Sequence, residues 1–139
     1  MTSQLSVEDA NKFLETAFGK RDGGSTVTHM SKDRAIVRLV AKDTDLRPGG
    51  YISGPTQMAM ADSAAYFAVM TRIGLEPMTV TSNLNINFLR PCIGDVVVAE
   101  GRLMKIGKAL AVIEVDIRIE GAEKPSSHGI VTYALPRKP

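Results

Sequence analysis

An α+β fold, in which a curved antiparallel sheet wraps around one long buried helix, is what this sequence predicts. Two observations carry the prediction. The segment from Gly54 to about Ile73 reads as a helix that is apolar nearly all round; such a helix is buried on most sides rather than lying on a surface. Everything after it reads as strands with no helices between them, which makes a sheet antiparallel rather than doubly wound.

Each element has a local reason. Ser6, followed by Glu8 and Asp9, opens a short amphipathic helix expected to bury Phe13, Leu14, Ala17 and Phe18 and to stop at Gly19. Two extended runs follow, Ser25 to Met30 and Ala35 to Ala41. The turn Ser31-Lys32-Asp33 between them predicts a hairpin. Asp43 to Ser53 is loop by composition, with Pro48, Gly49 and Gly50 in succession. The long helix then has Ser53 or Gly54 to cap it, Pro55 in its first turn and Gly74 as its stop. Asn83 to Phe88 alternates strictly, placing Leu84, Ile86 and Phe88 on one face. Val96 to Ile106, the eight-residue alternation Ile113 to Glu120, and His128 to Leu135 complete the sheet, with turns at Gly107 and at Gly121 to Ser127. Two early strands and four late ones make about six.

Composition bounds the function. The 139 residues fit one domain spanning 1–139, with 44% hydrophobic and 23% charged residues in the ordinary globular range. A net charge of +2, no dense basic run, no Trp and few aromatics give nucleic acid nothing to bind. Cys92 is the single cysteine, and no Cys/His cluster has zinc spacing, so neither a disulfide nor a structural metal is expected, and no cofactor is implied. Met1 to Lys20 lacks an apolar core of signal-peptide length, and no stretch approaches the roughly 20 apolar residues that span a bilayer. The expectation is a soluble cytoplasmic protein.

Asp62 is the sharpest chemical feature. It sits mid-helix among Met60, Ala61, Ala64 and Ala65, where a bare carboxylate would lose hydration at considerable cost. Either it faces a polar seam or pairs with an arginine such as Arg47, Arg72 or Arg90, or it does chemistry. Ser53-Gly54-Pro55 begins the same helix eight to nine residues upstream. A helix N-terminus suits a developing oxyanion, through unpaired N–H groups and the positive dipole end. Pro55 has no N–H, so the free donor would be Gly54 or Thr56; the plainer reading is capping alone.

At this point the sequence resembles a known family. Gly49-Gly50-Tyr51-Ile52-Ser53-Gly54-Pro55 followed by Met60-Ala61-Asp62-Ser63-Ala64 is similar to the signature of the PaaI-like (phenylacetyl-CoA-type) hotdog thioesterases. Thr81-Ser82-Asn83-Leu84-Asn85-Ile86-Asn87-Phe88-Leu89-Arg90-Pro91 resembles that family's third-strand motif, and Gly101-Arg102 with Ile106-Gly107-Lys108 the strand–turn–strand after it. The similarity runs from about Ala35 to Tyr133. It implies a hotdog fold and hydrolysis of an acyl-CoA thioester to free acid and CoA. Asp62 would be nucleophile or general base, and the Gly54 amide would polarise the carbonyl. Thr81, from the partner subunit's third strand, would position water, with Ser82 its neighbour. Arg47 stands where the family often has Asn or Gln. Ser53-Gly54-Pro55 stands where many members have His-Gly-Gly, so one substrate contact is lost and Ser53 takes its position.

The same resemblance implies cations for the CoA phosphates, for which Arg90, Lys105 and Lys108 lie at strand ends or turns, Lys108 beside Gly107; for any one of them a solvated strand edge is the plainer reading. It also implies a homodimer, commonly a dimer of dimers, with the active site between subunits. His29 and His128 read as surface or packing residues and Cys92 as unreactive. Met58, Met60 and Met70 read as core filling, with one or two of them as candidates to line an acyl tunnel. Rival functions are a hotdog hydro-lyase, disfavoured because no His stands near Asp62, a non-catalytic acyl-CoA or lipid-binding protein, and a scaffold using only its dimer surface.

Overall fold

The computed structural model describes residues 2–18 and 24–136. In chain order the elements are α1 (Val7–Phe18), β1 (Thr26–Ser31), β2 (Arg34–Val40), a 3-10 turn (Asp43–Asp45), α2 (Gly54–Ile73), β3 (Val80–Phe88), β4 (Val96–Ile106), β5 (Leu110–Ile119) and β6 (Ser127–Ala134). The six strands form one antiparallel sheet in the order β1-β2-β4-β5-β6-β3, with α2 packed against its concave side. This is the hotdog architecture, and β1 and β3 are its edges.

The central helix is bounded by the predicted residues. Ser53 is extended (φ −70°, ψ 157°) and its Oγ accepts the Thr56 N–H at 3.2 Å, while Pro55 occupies the first turn. Gly74 ends the helix at φ 75°, a left-handed conformation that a side chain would strain. Along its length Met60, Ala61, Ala64, Ala65, Phe67, Ala68, Val69 and Met70 are buried. The alanines let the sheet close tightly. At Gly101 on β4, an added Cβ would lie 2.6 Å from the Ala64 carbonyl oxygen, so helix and strand touch backbone to backbone there.

The strands supply the other half of the core by period-two alternation. On β5, Ala111, Ile113, Val115 and Ile117 face α2, and on β6 Ser127, Gly129, Val131 and Tyr133 do. The opposite face of β5 is charged: Arg102 reaches Glu114 at 3.1 Å and Asp116 at 2.8 Å, and His128 Nε2 lies 2.9 Å from Glu114. The hairpin β1–β2 forms as expected, turning at Asp33 with φ 68°. Asn11 ties α1 to β1 by accepting the Val27 N–H at 2.8 Å and donating to the Val27 carbonyl at 2.9 Å, beside a bulge in that strand.

Three expectations change, and Phe88 holds its expected face at an exposed position. Ala17 is exposed, and Ala10 instead forms the buried contact of α1, because the burying stripe runs through Ala10, Phe13 and Leu14. Gly19 and the Phe18 side chain lie outside the description. Met58 is 41% exposed, on the one side of α2 that the sheet leaves open, whereas Met60 and Met70 are core. Phe88 shares a face with Leu84 and Ile86 but emerges 51% exposed at the end of the edge strand. Finally, β3 and β5 each begin three residues earlier than their alternation indicated.

Candidate active site

The register between β3 and β6 builds the site. Thr81 and Tyr133 are direct Cα partners across this pair, so their side chains leave the sheet on the same face, under α2. A bulge falls at Ser82, between the pairs Thr81–Tyr133 and Asn83–Thr132, and it is at this break in the ladder that Thr81 turns to the helix. Both side chains converge on Asp62. Thr81 Oγ1 donates to Asp62 Oδ1 at 2.7 Å, and Tyr133 Oη donates to the same oxygen at 2.5 Å and lies 2.8 Å from the Asp62 carbonyl. Among the described residues no arginine pairs with Asp62: Arg72 holds Asp33 at 2.8 Å, and Arg90 and Arg47 donate to the carbonyls of Pro125 and Pro48.

Two donors on Oδ1 leave Oδ2 without a hydrogen bond among the described residues. Tyr133 is a reliable donor, because burial first, and then its hydrogen bond to Asp62, pushes its phenol far above the ordinary tyrosine range. Asp62 itself is half-buried and opens into a cavity of about 500 Å³ walled by Phe13, Leu14, Tyr66, Phe67 and Val80. The Phe13 and Tyr66 rings stack at 5.9 Å and 17°, and Tyr66 lies 5.9 Å from Tyr133. A half-buried carboxylate with one oxygen fixed and one free, at the mouth of an aromatic pocket, can attack an electrophile or take a proton from water.

The helix start forms a second cluster. Ser53 Oγ is committed to the cap, bonded to the Thr56 N–H and 2.7 Å from Thr56 Oγ1. With the Thr56 N–H taken and Pro55 lacking one, Gly54 is the first-turn residue whose N–H is left without a partner among the described residues. The Phe88 ring lies against it, 3.4 Å from where a Cβ would stand. The loops carrying Arg47 and Arg90 flank this end: Arg47 N–H donates to the Tyr51 carbonyl at 2.9 Å, and Ile52 N–H to the Cys92 carbonyl at 2.8 Å. Cys92 is buried, which pushes its thiol up, and it has no access to the site.

Gly107 and Lys108 lie elsewhere, with Arg72, Ile73, Leu110 and Leu135 around a cavity of about 1260 Å³ at the far end of α2. Lys105 and Ser82 are exposed beside bulges in β4 and β3. So Asp62 and Thr81 are brought together, and within one chain rather than across two as the resemblance implied; Gly54 and Ser53 stand apart from them, and Gly107 and Lys108 apart from both. Tyr133 was missed. Its only sequence signal is its phase in β6, the inward phase of Val131, which shows burial but not what the hydroxyl meets. Among the described residues no group of three His, Cys, Asp or Glu is arranged to hold a metal, and no helix is long and apolar enough to cross a membrane.

Known proteins resemble the chain in sequence and fold. The model of the thioesterase superfamily matches residues 49–126, which include both Gly54 and Asp62. The crystal structure of a candidate thioesterase from Silicibacter sp. TM1040 superposes with a TM-score of 0.87 at 31% identity, covering 98% of this chain and 95% of its own. A candidate esterase of Saccharolobus solfataricus is 29% identical over 117 residues, 81% of this chain and 83% of its own. A mutant of the phenylacetic acid degradation protein PaaI from Thermus thermophilus shares the fold, with a TM-score of 0.71 at 24% identity over 90% of this chain and 99% of its own.

Proposed function

The chain belongs to the thioesterase superfamily, and from that premise we propose that it hydrolyses an acyl-CoA thioester to the free acid and CoA. The observation that carries this reading is the state of Asp62: Oδ1 is held by Thr81 and Tyr133, and Oδ2 has no hydrogen bond among the described residues, at the mouth of an apolar cavity.

On this reading the site draws on two chains. Gly54 and Asp62 are eight residues apart on one straight helix, a rise of about 12 Å. A thioester oxygen about 3 Å from the Gly54 amide cannot keep its carbon within reach of Asp62 of the same helix. The site is therefore composed of Gly54 from one protomer and Asp62, Thr81 and Tyr133 from its partner. The edge strand β3 supports such a dimer. It is nine residues long, paired on one side only, and exposes Val80 and Phe88, with Leu89 just beyond, each at least 50% exposed. An unprotected apolar edge of this kind pairs with another strand, and a second β3 would bring each Asp62 towards the other chain's helix start.

In the reaction the carbonyl oxygen rests on the Gly54 N–H, where negative charge develops as attack proceeds. Loss of such a donor typically costs about 3 kcal/mol of barrier. Asp62 Oδ2 either attacks the carbonyl carbon, giving an acyl-aspartyl anhydride that water then cleaves, or takes a proton from a water that attacks directly. Each route breaks the C–S bond and releases CoA as its thiolate. The nucleotide's phosphates need cations, for which the candidates are Arg47 and Arg90 at the helix start, Lys105 on β4, and Lys108 beside the cavity at the far end of α2.

The test is CoA release from short, medium, long and aryl acyl-CoAs by wild type and Asp62→Asn. Turnover that falls by at least about a hundredfold in the folded variant supports the reading. Wild type that binds acyl-CoA without releasing CoA from any of them would make this an acyl-CoA-binding protein instead.

A further inference from the structure

The turn that carries Gly54 is braced from inside the core by a side chain that the chemistry of hydrolysis does not use. Gln57, in the first turn of α2, is only 4% exposed. Its Nε2 donates to the Ile52 carbonyl at 3.2 Å, and its Oε1 accepts the Ser127 hydroxyl at 2.7 Å. A carbonyl only accepts, which sets the NH2 end of the amide on Ile52 and its oxygen on Ser127. Burying an amide forfeits its hydration, so a glutamine in the core is explained by the groups it satisfies.

Those groups lead to the proposed oxyanion donor. Two consecutive peptides enter α2, Ile52–Ser53 and Ser53–Gly54, and the N–H of the second is the Gly54 donor. Gln57 holds the carbonyls of both. Its own N–H donates to the Ser53 carbonyl at 3.1 Å, and its side chain holds that of Ile52. Because a peptide is planar, a fixed carbonyl fixes the direction of the N–H opposite it. The N–H of the first peptide is held as well, by the Asp45 carbonyl at 3.0 Å. The far end of the brace is the sheet. Ser127 is fully buried on β6 and is the Cα partner of Phe88, whose ring lies against Gly54. The same point of β6 therefore reaches the donor along two paths, one through Gln57 and one through Phe88.

Resting on the reading of Gly54 as the oxyanion donor, we infer that Gln57, anchored by Ser127, is a positioning residue for hydrolysis. It aims the Gly54 N–H at the place where the thioester oxygen becomes negative. Buried and bonded at both ends of its amide, it touches no substrate atom itself. Donors of this kind act most strongly when they are held in place before the reaction begins. A misplacement of about 1 Å costs up to about 100-fold. A loosened turn would still bind acyl-CoA, so the loss falls on kcat rather than on KM.

The experiment is a double-mutant cycle. Gln57→Met, which keeps the length of the side chain, and Ser127→Ala are each made in wild type and in Gly54→Pro, and CoA release is measured. The amide order parameter of Gly54 is measured alongside by nuclear magnetic resonance, its signal assigned by its absence from Gly54→Pro. Gln57→Met should lose about tenfold in kcat with KM little changed. Ser127→Ala should lose less, and the Gly54 order parameter should fall in both. In Gly54→Pro, where no N–H remains to be aimed, neither substitution should lower kcat further. Equal losses with and without the Gly54 N–H, or a Gly54 amide as rigid in the variants as in wild type, would overturn the assignment. Ser127→Ala supplies the same comparison if Gln57→Met does not fold. Gly54→Pro with wild-type kcat would refute the donor role and this inference with it. If wild type releases no CoA from any thioester, hydrolysis is refuted separately: a Gly54 order parameter that still falls keeps Gln57 as the residue holding that amide, and an unchanged one refutes both.

Discussion

Tyr133 Oη lies 2.5 Å from Asp62 Oδ1 and shares that oxygen with Thr81 Oγ1 at 2.7 Å. Two neutral donors on one carboxylate oxygen fix the plane of the group and point the other oxygen at the cavity. Tyr133 acts through Asp62, not on the substrate, so it is a positioning residue. Tyr133→Phe should fold normally and lose roughly 10- to 100-fold in kcat, with KM little changed, as befits loss of a hydrogen bond to a charged group. Thr81→Val should behave alike. Because both act on one oxygen, the double variant should depart from the sum of the single effects; strict additivity would mean they do not share a task.

The same phenol gives the protein an alkaline signature. Burial and the Asp62 hydrogen bond raise the Tyr133 pKa well above its ordinary value of 10.0. The folded state therefore keeps a proton that the unfolded chain gives up above about pH 10. The stabilisation is fully present below that pH and is lost as pH rises beyond it, at up to about 1.4 kcal/mol per pH unit. Urea unfolding between pH 9 and pH 11.5 should show this slope in excess in wild type over Tyr133→Phe. Parallel curves would mean the phenol is not held neutral.

Assembly should be breakable at β3 without unfolding the chain. Phe88 is half exposed at the end of this edge strand and borders Gly54. Phe88→Glu places a charge where two such edges would meet, besides removing the ring from beside Gly54 in its own chain. Light scattering should report the mass of one chain, the circular dichroism should be unchanged, and CoA release should disappear because the proposed site needs two chains. A variant that stays dimeric and active would show that β3 is not the interface.

Much of the fold was legible because the signals are local. The cap at Ser53, the proline after it and Gly74 bound α2 at the expected residues, since each acts on its own turn. The alternation of Ile113 to Glu120 gave the two faces of β5 for the same reason. Strand starts at Val80 and Leu110 were not legible, because those residues are held by partners across the sheet rather than by their own pattern. The site divided in the same way. Asp62 stood out as a charge in an apolar helix, but Tyr133 is 71 residues away, and only the register of β6 on β3 brings it to the carboxylate. Thr81 was found through a motif, but its bond to Asp62 within the chain was not legible, because a motif carries no information on which side chain of the helix the strand meets.

The proposed division of labour between protomers has a direct test in Gly54. Gly54→Pro removes its N–H and little else, since it stands at the first helical position, where proline's fixed φ is compatible. Ser53 already has the extended backbone that a following proline demands. The variant should fold and lose roughly 100- to 1000-fold in kcat, the usual effect of deleting one oxyanion donor. Asp62→Asn alone should be equally inactive. In a dimer formed from one chain of each, one site receives both defects and the other receives none. Equal mixing with subunit exchange puts half of the dimers in that state, so about a quarter of wild-type activity should return. If Gly54 and Asp62 served the same site from one chain, every site in the mixture would carry one defect and no activity would come back.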